Sequence, residues 1–305
     1  MSLTNVKAPG GLSVNGNPIR DDIITTGTVF YVSSGTGSDG NKGINANQPL
    51  ATIDAAINKC TADVGDVIYV MPGHAETISN ATSLVPDIAG ISIIGLGNGA
   101  NAPEITFDDA TSEIIVTGKS TLLRNLRFVA GVTAVVTGID INVDNVTIDS
   151  CEFTFSGAGF DFVIFVDIDA FDYSIINNCV FRAENATDGA STGIRLDTAD
   201  HIKILHCTFT GDFSLAPISQ VTADAPGVNL LIADCIFYND DTANADSVIA
   251  LQEAYTGLII RCVGGSLNGT SPEAAFVVGS CLSIENYIAD VASETGTIVP
   301  LTIST

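Results

Sequence analysis

A repeating register constrains this chain more than any other feature. Four segments superimpose: Ile148-Asp149-Ser150-Cys151-Glu152-Phe153, Ile176-Asn177-Asn178-Cys179-Val180-Phe181, Ile204-Leu205-His206-Cys207-Thr208-Phe209 and Ile232-Ala233-Asp234-Cys235-Ile236-Phe237. Their cysteines, at 151, 179, 207 and 235, are separated by three steps of 28 residues. Ile259 and Cys262 continue the frame one step of 27 later, and Leu123, Leu126 and Phe128 fit it 25 residues upstream. A fixed period of this length marks a solenoid, in which each repeat buries its apolar side only against its neighbours.

Helical repeats need long runs of helix formers at 3.6-residue periodicity. These repeats instead carry Val, Ile, Thr, Phe, Asp, Asn and Gly, the residues of strands and turns. A leucine-rich repeat is the competitor, because Ile-x-x-Cys-x-Phe imitates its signature. That repeat calls for Asn three residues after the last apolar position, where this chain has Ser156, Glu184, Asp212 and Asp240. The reading is therefore all-β: a right-handed parallel β-helix of 27–28 residues per coil with a short N-terminal capping helix. Equivalent residues then stack about 4.8 Å apart. Ile148, Ile176, Ile204, Ile232 and Ile259 form one inner column, the cysteines a second, and Phe128, Phe153, Phe181, Phe209 and Phe237 a third. Cysteine is a small apolar filler for such a corner. One thiol per coil in a row does not make a tetrahedral metal site, and parallel side chains do not face each other for disulfides.

Charge narrows the partners. With 35 acidic against 11 basic residues the net charge is −24, which disfavours nucleic acid and anionic membranes as partners. No stretch of about 18 apolar residues suggests a membrane span. Residues 1–30 lack the basic-then-apolar pattern of a signal peptide.

Two units are expected. Residues 1–26, with Pro9-Gly10-Gly11 and Asn15-Gly16-Asn17-Pro18, read as an extended arm that orders against a partner or stays a tail. Residues 27–305 read as one β-helix domain whose first strand is Thr28–Val32. Ile53, Ala56, Ile57 and Cys60 share one face of a capping helix over about 50–60. The coil and tail over about 280–305 are less regular, and Thr297–Thr305 is β-prone.

The stretch Val29-Phe30-Tyr31-Val32, then Gly35-Thr36-Gly37-Ser38-Asp39-Gly40, Pro49-Leu50-Ala51-Thr52-Ile53, Gly65-Asp66-Val67-Ile68-Tyr69-Val70 and Pro72-Gly73 resembles the opening of pectate-lyase-like β-helix proteins. The wording Met71-Pro72-Gly73-His74-Ala75-Glu76-Thr77 is similar to β-helix proteins among the virion components of tailed bacteriophages, of which some decorate capsids and others are tail spikes. The resemblance spans roughly residues 28–290 and implies fold more strongly than activity. It implies a virion structural protein made in the host cytoplasm, a capsid decoration or stabilising protein that docks on the major capsid protein and forms a homotrimer. The alternatives it leaves are a tail-spike-type polysaccharide lyase or hydrolase and a receptor-binding β-helix without chemistry.

The resemblance also directs a search for a site. Pectate lyases hold calcium with acidic side chains and use a basic residue to take a proton; polygalacturonases use clustered aspartates with a Gly-His-Gly and an Arg-x-Lys. Gly-His-Gly is absent, and His201-Ile202-Lys203 is a weak match to Arg-x-Lys. Asp108-Asp109 and Asp240-Asp241 sit at apparent turns. One constellation remains. Asp167 and Asp169 alternate along one strand, Arg195 and Asp197 follow 28 residues later, and Asp140 and Asn142 precede by 27. Alternation and stacking place them on one face. Asp167, Asp169, Arg195 and Asp197 are the catalytic candidates, and Asp140, Asp167, Asp169 and Asp197 the Ca²⁺ candidates, since calcium takes several oxygen ligands. The bland alternative is a solvated polar face with a cross-coil ion pair. Asp144, Asp172 and Asp200 repeat at the same 28-residue spacing. With no Trp and six Tyr, the chain offers few rings for stacking on sugars.

Overall fold

The computed structural model describes residues 25–184, 189–220, 227–241, 247–251, 254–266 and 276–289, with the strand segments Ser13–Val14, Asn17–Pro18 and Ile298–Pro300. The chain is a parallel β-helix. Three sheets run along it. Sheet 1 has ten strands, from Val29–Val32 to Leu282–Ile284; sheet 2 has ten, from Ala75–Ile78 to Ile298–Pro300; sheet 3 has seven, from Ile114–Val116 to Phe276–Val278. Every pairing within the three sheets is parallel except the last in sheet 2, where Ile298–Pro300 runs antiparallel to Tyr287–Ala289.

The expected columns are the core. Leu123, Ile148, Ile176, Ile204, Ile232 and Ile259 pair in direct register through sheet 1. Phe128, Phe153, Phe181, Phe209 and Phe237 do so through sheet 2. Their rings lie 4.9, 4.8, 4.6 and 5.1 Å apart in succession. Cys151, Cys179, Cys207, Cys235 and Cys262 are buried free thiols. Each points its Sγ at a backbone carbonyl of the preceding coil, as Cys179 does to Ile148 at 3.6 Å.

One corner explains why the cysteine column can exist. The residue at this corner is left-handed: Asn125 before Leu126, Ser150, Asn178, His206, Asp234 and Arg261 before the five stacked cysteines, and Glu285 before Asn286 have φ between 53° and 56°. Asn and Asp tolerate this region; Ser, His, Arg and Glu adopt it at a cost. The stack supplies the compensation. The Ser150 N–H donates to Asn177 O at 2.9 Å, Asn178 to Leu205 at 2.9 Å and His206 to Ala233 at 3.0 Å, and Asn125, Asp234 and Arg261 donate likewise, so these corner amides are satisfied by the next coil.

The expected helix is shorter than 50–60. It spans Ile53–Ile57, with Thr52 accepting the Ala55 N–H at its start. Lys59 and Cys60 then donate to Ala56 and Ile57, i→i−3 bonds that tighten the turn and end the helix before Cys60. Ile53, Ala56 and Ile57 are buried in the common core. The expected first strand starts one residue later than read, at Val29. Of the proposed arm, Ser13–Val14 and Asn17–Pro18 pair antiparallel; the rest of residues 1–24 lies outside the described residues, as do 301–305. No helix among the described residues is long and apolar enough to cross a membrane.

Candidate functional site

Sheet 3 carries the acidic constellation on its outer face. Its central strands, Val135–Ile141, Phe162–Ile168 and Ala190–Leu196, are seven residues each, longer than most strands of the other two sheets. Inward Ile139, Val166 and Ile194 lock the register, and that register puts Asp140 beside Asp167 and Asp167 beside Arg195. The 27-residue step to Asp140 is thus a true neighbour relation.

Arg195 grips Asp167 with both arms: Nε donates to Oδ1 at 2.7 Å and the terminal Nη2 to Oδ2. The Asp167 side chain is only 6% exposed and that of Arg195 32%, so the pair is half-buried and not the solvated contact the sequence suggests. Oxygen atoms of Asp140, Asp167 and Asp169 all lie within 4.8 Å of one another. Asp140 Oδ2 accepts from Asn142 Nδ2 at 2.7 Å, while Asp140 Oδ1 and Asp197 Oδ1 are buried without a hydrogen-bond partner. Burial first, then the charges of Asp169 and Asp167, push Asp140 up to about 6 against the opposing Asn142 bond. Asp197 is also raised to about 6, by burial and by Asp167, with Arg195 opposing. Burial raises Asp167 as well, and the Arg195 hydrogen bonds oppose it. Glu113, which no repeat singled out, joins the group: burial and Asp167 raise its carboxyl.

The oxygen-only donor set of Asp140, Asp167 and Asp169 suits a hard cation such as Ca²⁺. Both Asp167 oxygens already accept from Arg195, so a cation there shares that carboxylate with a guanidinium. Asp140 Oδ1 is an oxygen left to ligate, with Asp169 in the same group; Asp197, the fourth expected Ca²⁺ candidate, is not among these three and lies next to Asp167 and Asp169.

A groove of about 420 Å³ adjoins Arg195 on the same face, lined by Ile164, Thr192, Leu215, Ser219, Ala250 and Val277 among others. It opens where the eight-residue strand Phe213–Gln220 slips register against its neighbour between Ala190 and Thr192. Such a bulge re-aims side chains. On its floor Ser219 Oγ donates to Thr192 Oγ1 at 3.0 Å, and Thr192 donates to the Ala216 carbonyl at 2.6 Å. No aromatic ring lines it among the described residues.

The remaining expected residues lie elsewhere. Asp144, Asp172 and Asp200 form a corner ladder: their Oδ1 atoms accept the N–H groups of Asp172, Asp200 and Val228 in turn, at 3.1, 2.9 and 2.7 Å. Asp109 accepts the Thr111 N–H at 2.8 Å in a local turn. Asp241 is buried, and with Asp240 it helps raise Asp212, whose main cause is burial, to about 6. His201 stacks on Tyr173 at 4.6 Å on the surface, and Lys203 is exposed.

No protein-family profile matches the chain, and no curated protein matches it. Solved structures do. A rhamnogalacturonan lyase superimposes with a TM-score of 0.62 at 14% identity, over 79% of this chain and 69% of that one. Geobacillus virus E2 ORF18 gives 0.47 at 13% identity, over 85% of this chain and 60% of its own length. A GH136 lacto-N-biosidase from Eubacterium ramulus gives 0.35 at 12% identity, over 86% and 68%. What is shared is the fold. The lyase superposition and the sheets described above agree on a parallel β-helix, and at these identities they say nothing of activity.

Proposed function

We propose that the chain is a structural protein of a tailed-phage particle, a rigid β-helix that decorates or braces the shell by docking on the major capsid protein. The observation that carries this reading over a sugar-cleaving one is the Arg195–Asp167 clamp. Arg195 is the basic side chain at the acidic cluster, and its Nε and Nη2 are committed to a buried carboxylate. A proton-abstracting base must be free to reach its substrate. Among the described residues the adjoining groove offers no ring on which a sugar would stack. The unbroken inner columns suit a mechanical role, since each coil is fixed by those above and below. The arm, residues 1–26, is the proposed docking element. The test uses purified particles: the chain should be present in many copies, and full-length protein should bind chain-free shells while a 27–305 variant does not. A chain found in few copies at the tail tip, or absent from particles, defeats the reading.

One observation favours a second reading, a tail-spike-type polysaccharide lyase or hydrolase. Asp140 and Asp197, both raised to about 6, belong to the acidic cluster around Asp167, whose partner Arg195 lines the groove, and a carboxyl in that range can serve as a general acid. Cleavage of an acidic polysaccharide that disappears in Asp140→Asn and Asp197→Asn establishes it; no cleavage across a panel of such polymers removes it.

A further inference from the structure

The turn that leaves the sheet 1 strand Ser92–Gly95 carries the dipeptide Asn98-Gly99. Both ends of this turn are clamped. Asn125 Nδ2 donates to Gly95 O at 2.8 Å and to Gly97 O at 3.0 Å, and the Gly73 N–H donates to Asn101 O at 2.9 Å. Between the clamps, Asn98 and Gly99 are exposed. Asn98 is extended, with φ −144° and ψ 158°, and its side chain does not cap the 3₁₀ turn Gly99–Asn101 that follows. The Gly99 N–H is the first of that turn, so no carbonyl within the turn can accept it. Among the described residues it donates to no other carbonyl either. Gly99 has φ of 58°, and a Cβ built on it would meet no atom within 4 Å.

These are the requirements of one reaction, the attack of a backbone nitrogen on the side-chain amide of the residue before it. The nitrogen must be free to lose its proton, the amide must be free to turn toward it, and no Cβ should crowd the approach. Comparable positions in the chain are protected. In Asp39-Gly40, Asp39 accepts from the N–H groups of Ala51 and Thr52 at 2.8 and 3.0 Å and from the Thr52 hydroxyl at 3.2 Å. Asn80 accepts from the Thr82 N–H and hydroxyl at 2.9 and 2.7 Å and is followed by Ala81. Asn15-Gly16 and Asn268-Gly269 carry the same dipeptide as Asn98-Gly99 but lie outside the described residues.

We propose that Asn98 is a site of spontaneous deamidation. Gly99 N attacks Asn98 Cγ; the N–Cγ bond forms, the Cγ–Nδ2 bond breaks, and ammonia leaves with the proton that Gly99 N gave up. Water then opens the five-membered imide at either carbonyl, which leaves aspartate or isoaspartate at position 98. The new carboxylate stands at a pocket of about 120 Å³ that Asn98 lines together with Arg127 and Glu152. Arg127 already reaches this turn, with Nη2 donating to Gly99 O at 3.4 Å, while it pairs with Glu152 at 2.9 Å and Glu104 at 3.8 Å. The modification therefore adds a third acid around one guanidinium.

The full chain is kept folded at mildly alkaline pH, sampled over weeks and cut with a Glu-specific protease, and the fragment Thr77–Glu104 is read by mass spectrometry. The fragment should gain about 1 Da with time, the difference between an amide and an acid. Fragment ions should place the gain at position 98 and not at Asn80 or Asn101, and isoaspartate should accumulate there. Asn98→Gln should abolish the gain, because its longer side chain must close a six-membered ring. Gly99→Ala should slow it by about tenfold or more, because a Cβ crowds the nitrogen and disfavours the positive φ. Far-UV circular dichroism checks that both variants fold. An amide that persists at position 98 in the folded chain overturns the proposal; its loss only in the urea-unfolded chain would mean that the turn protects the site. A gain that Asn98→Gln leaves unchanged, or that proceeds at full rate in Gly99→Ala, overturns it as well.

Discussion

Arg195 sits one coil from Asp167 in direct register, and the two close into a double hydrogen-bonded pair on the outer face of the longest-stranded sheet. Asp167 is nearly enclosed, so its charge depends on Arg195. Arg195→Met should therefore destabilise the chain by about 2–3 kcal/mol, the cost of a buried carboxylate left without its partner. The double variant Asp167→Leu/Arg195→Met should recover most of that loss, because it removes the stranded charge along with the pair. Urea unfolding of the three proteins checks this. Equal stability of Arg195→Met and wild type would return the pair to the category of exposed contacts worth little.

Acidification tests the rest of the cluster. Asp140 and Asp197 titrate near 6 in the folded chain and near 4 when unfolded. A folded-state value above the unfolded one means that the native chain holds the proton more tightly. The stabilising contribution is complete below about pH 4 and disappears as pH rises through about 6. The melting temperature should accordingly be higher at pH 5 than at pH 7. Asp140→Asn should shrink that difference without abolishing it, because Asp197 and Asp212 titrate in the same window. An undiminished difference in Asp140→Asn, or a melting temperature that falls on going from pH 7 to 5, contradicts the assignment.

What could be read from sequence follows from which side of the coil a residue faces. The inner columns were legible because Ile, Cys and Phe each fill a position whose neighbours above and below are nearly identical, so packing enforces the period. The pairing of Asp140 with Asp167 was legible only through the buried residues that flank it. Glu113 was not, because outward positions carry no repeating demand. The groove was invisible for a different reason: it arises from one extra residue in Phe213–Gln220, and a bulge leaves no periodic trace. The helix was overextended because Cys60 fits the apolar spacing, while the local i→i−3 bonds at Lys59 and Cys60 outweigh it.

The left-handed corner makes a prediction of its own. Asn178 has φ of 53°, and its N–H is held by Leu205 O at 2.9 Å. Asn178→Val forces a β-branched residue into that region and should cost about 1–2 kcal/mol. Asn178→Gly should be close to neutral, since relief of strain offsets the entropy gained by the unfolded chain. Thermal unfolding of both variants distinguishes them; equal effects would mean that loss of the Asn178–Ser150 side-chain bond at 3.1 Å, and not backbone strain, dominates the corner.

Phe181 tests how far damage spreads along the stack. Its ring lies 4.8 Å from Phe153 and 4.6 Å from Phe209, stacked nearly parallel to both, and 5.9 Å edge-on from Phe165. Removing it takes three aromatic contacts and leaves a cavity, so Phe181→Ala should lose about 3–5 kcal/mol and Phe181→Leu distinctly less. In a solenoid each coil touches only its neighbours, so the loss should be local at first. Amide hydrogen exchange in Phe181→Leu should accelerate in Glu152–Phe155, Val180–Arg182 and Thr208–Gly211 while Val67–Val70 keeps its protection. Uniform acceleration across all four strands would instead mean that the β-helix unfolds as one cooperative unit, with coupling between coils stronger than the stability of any single coil.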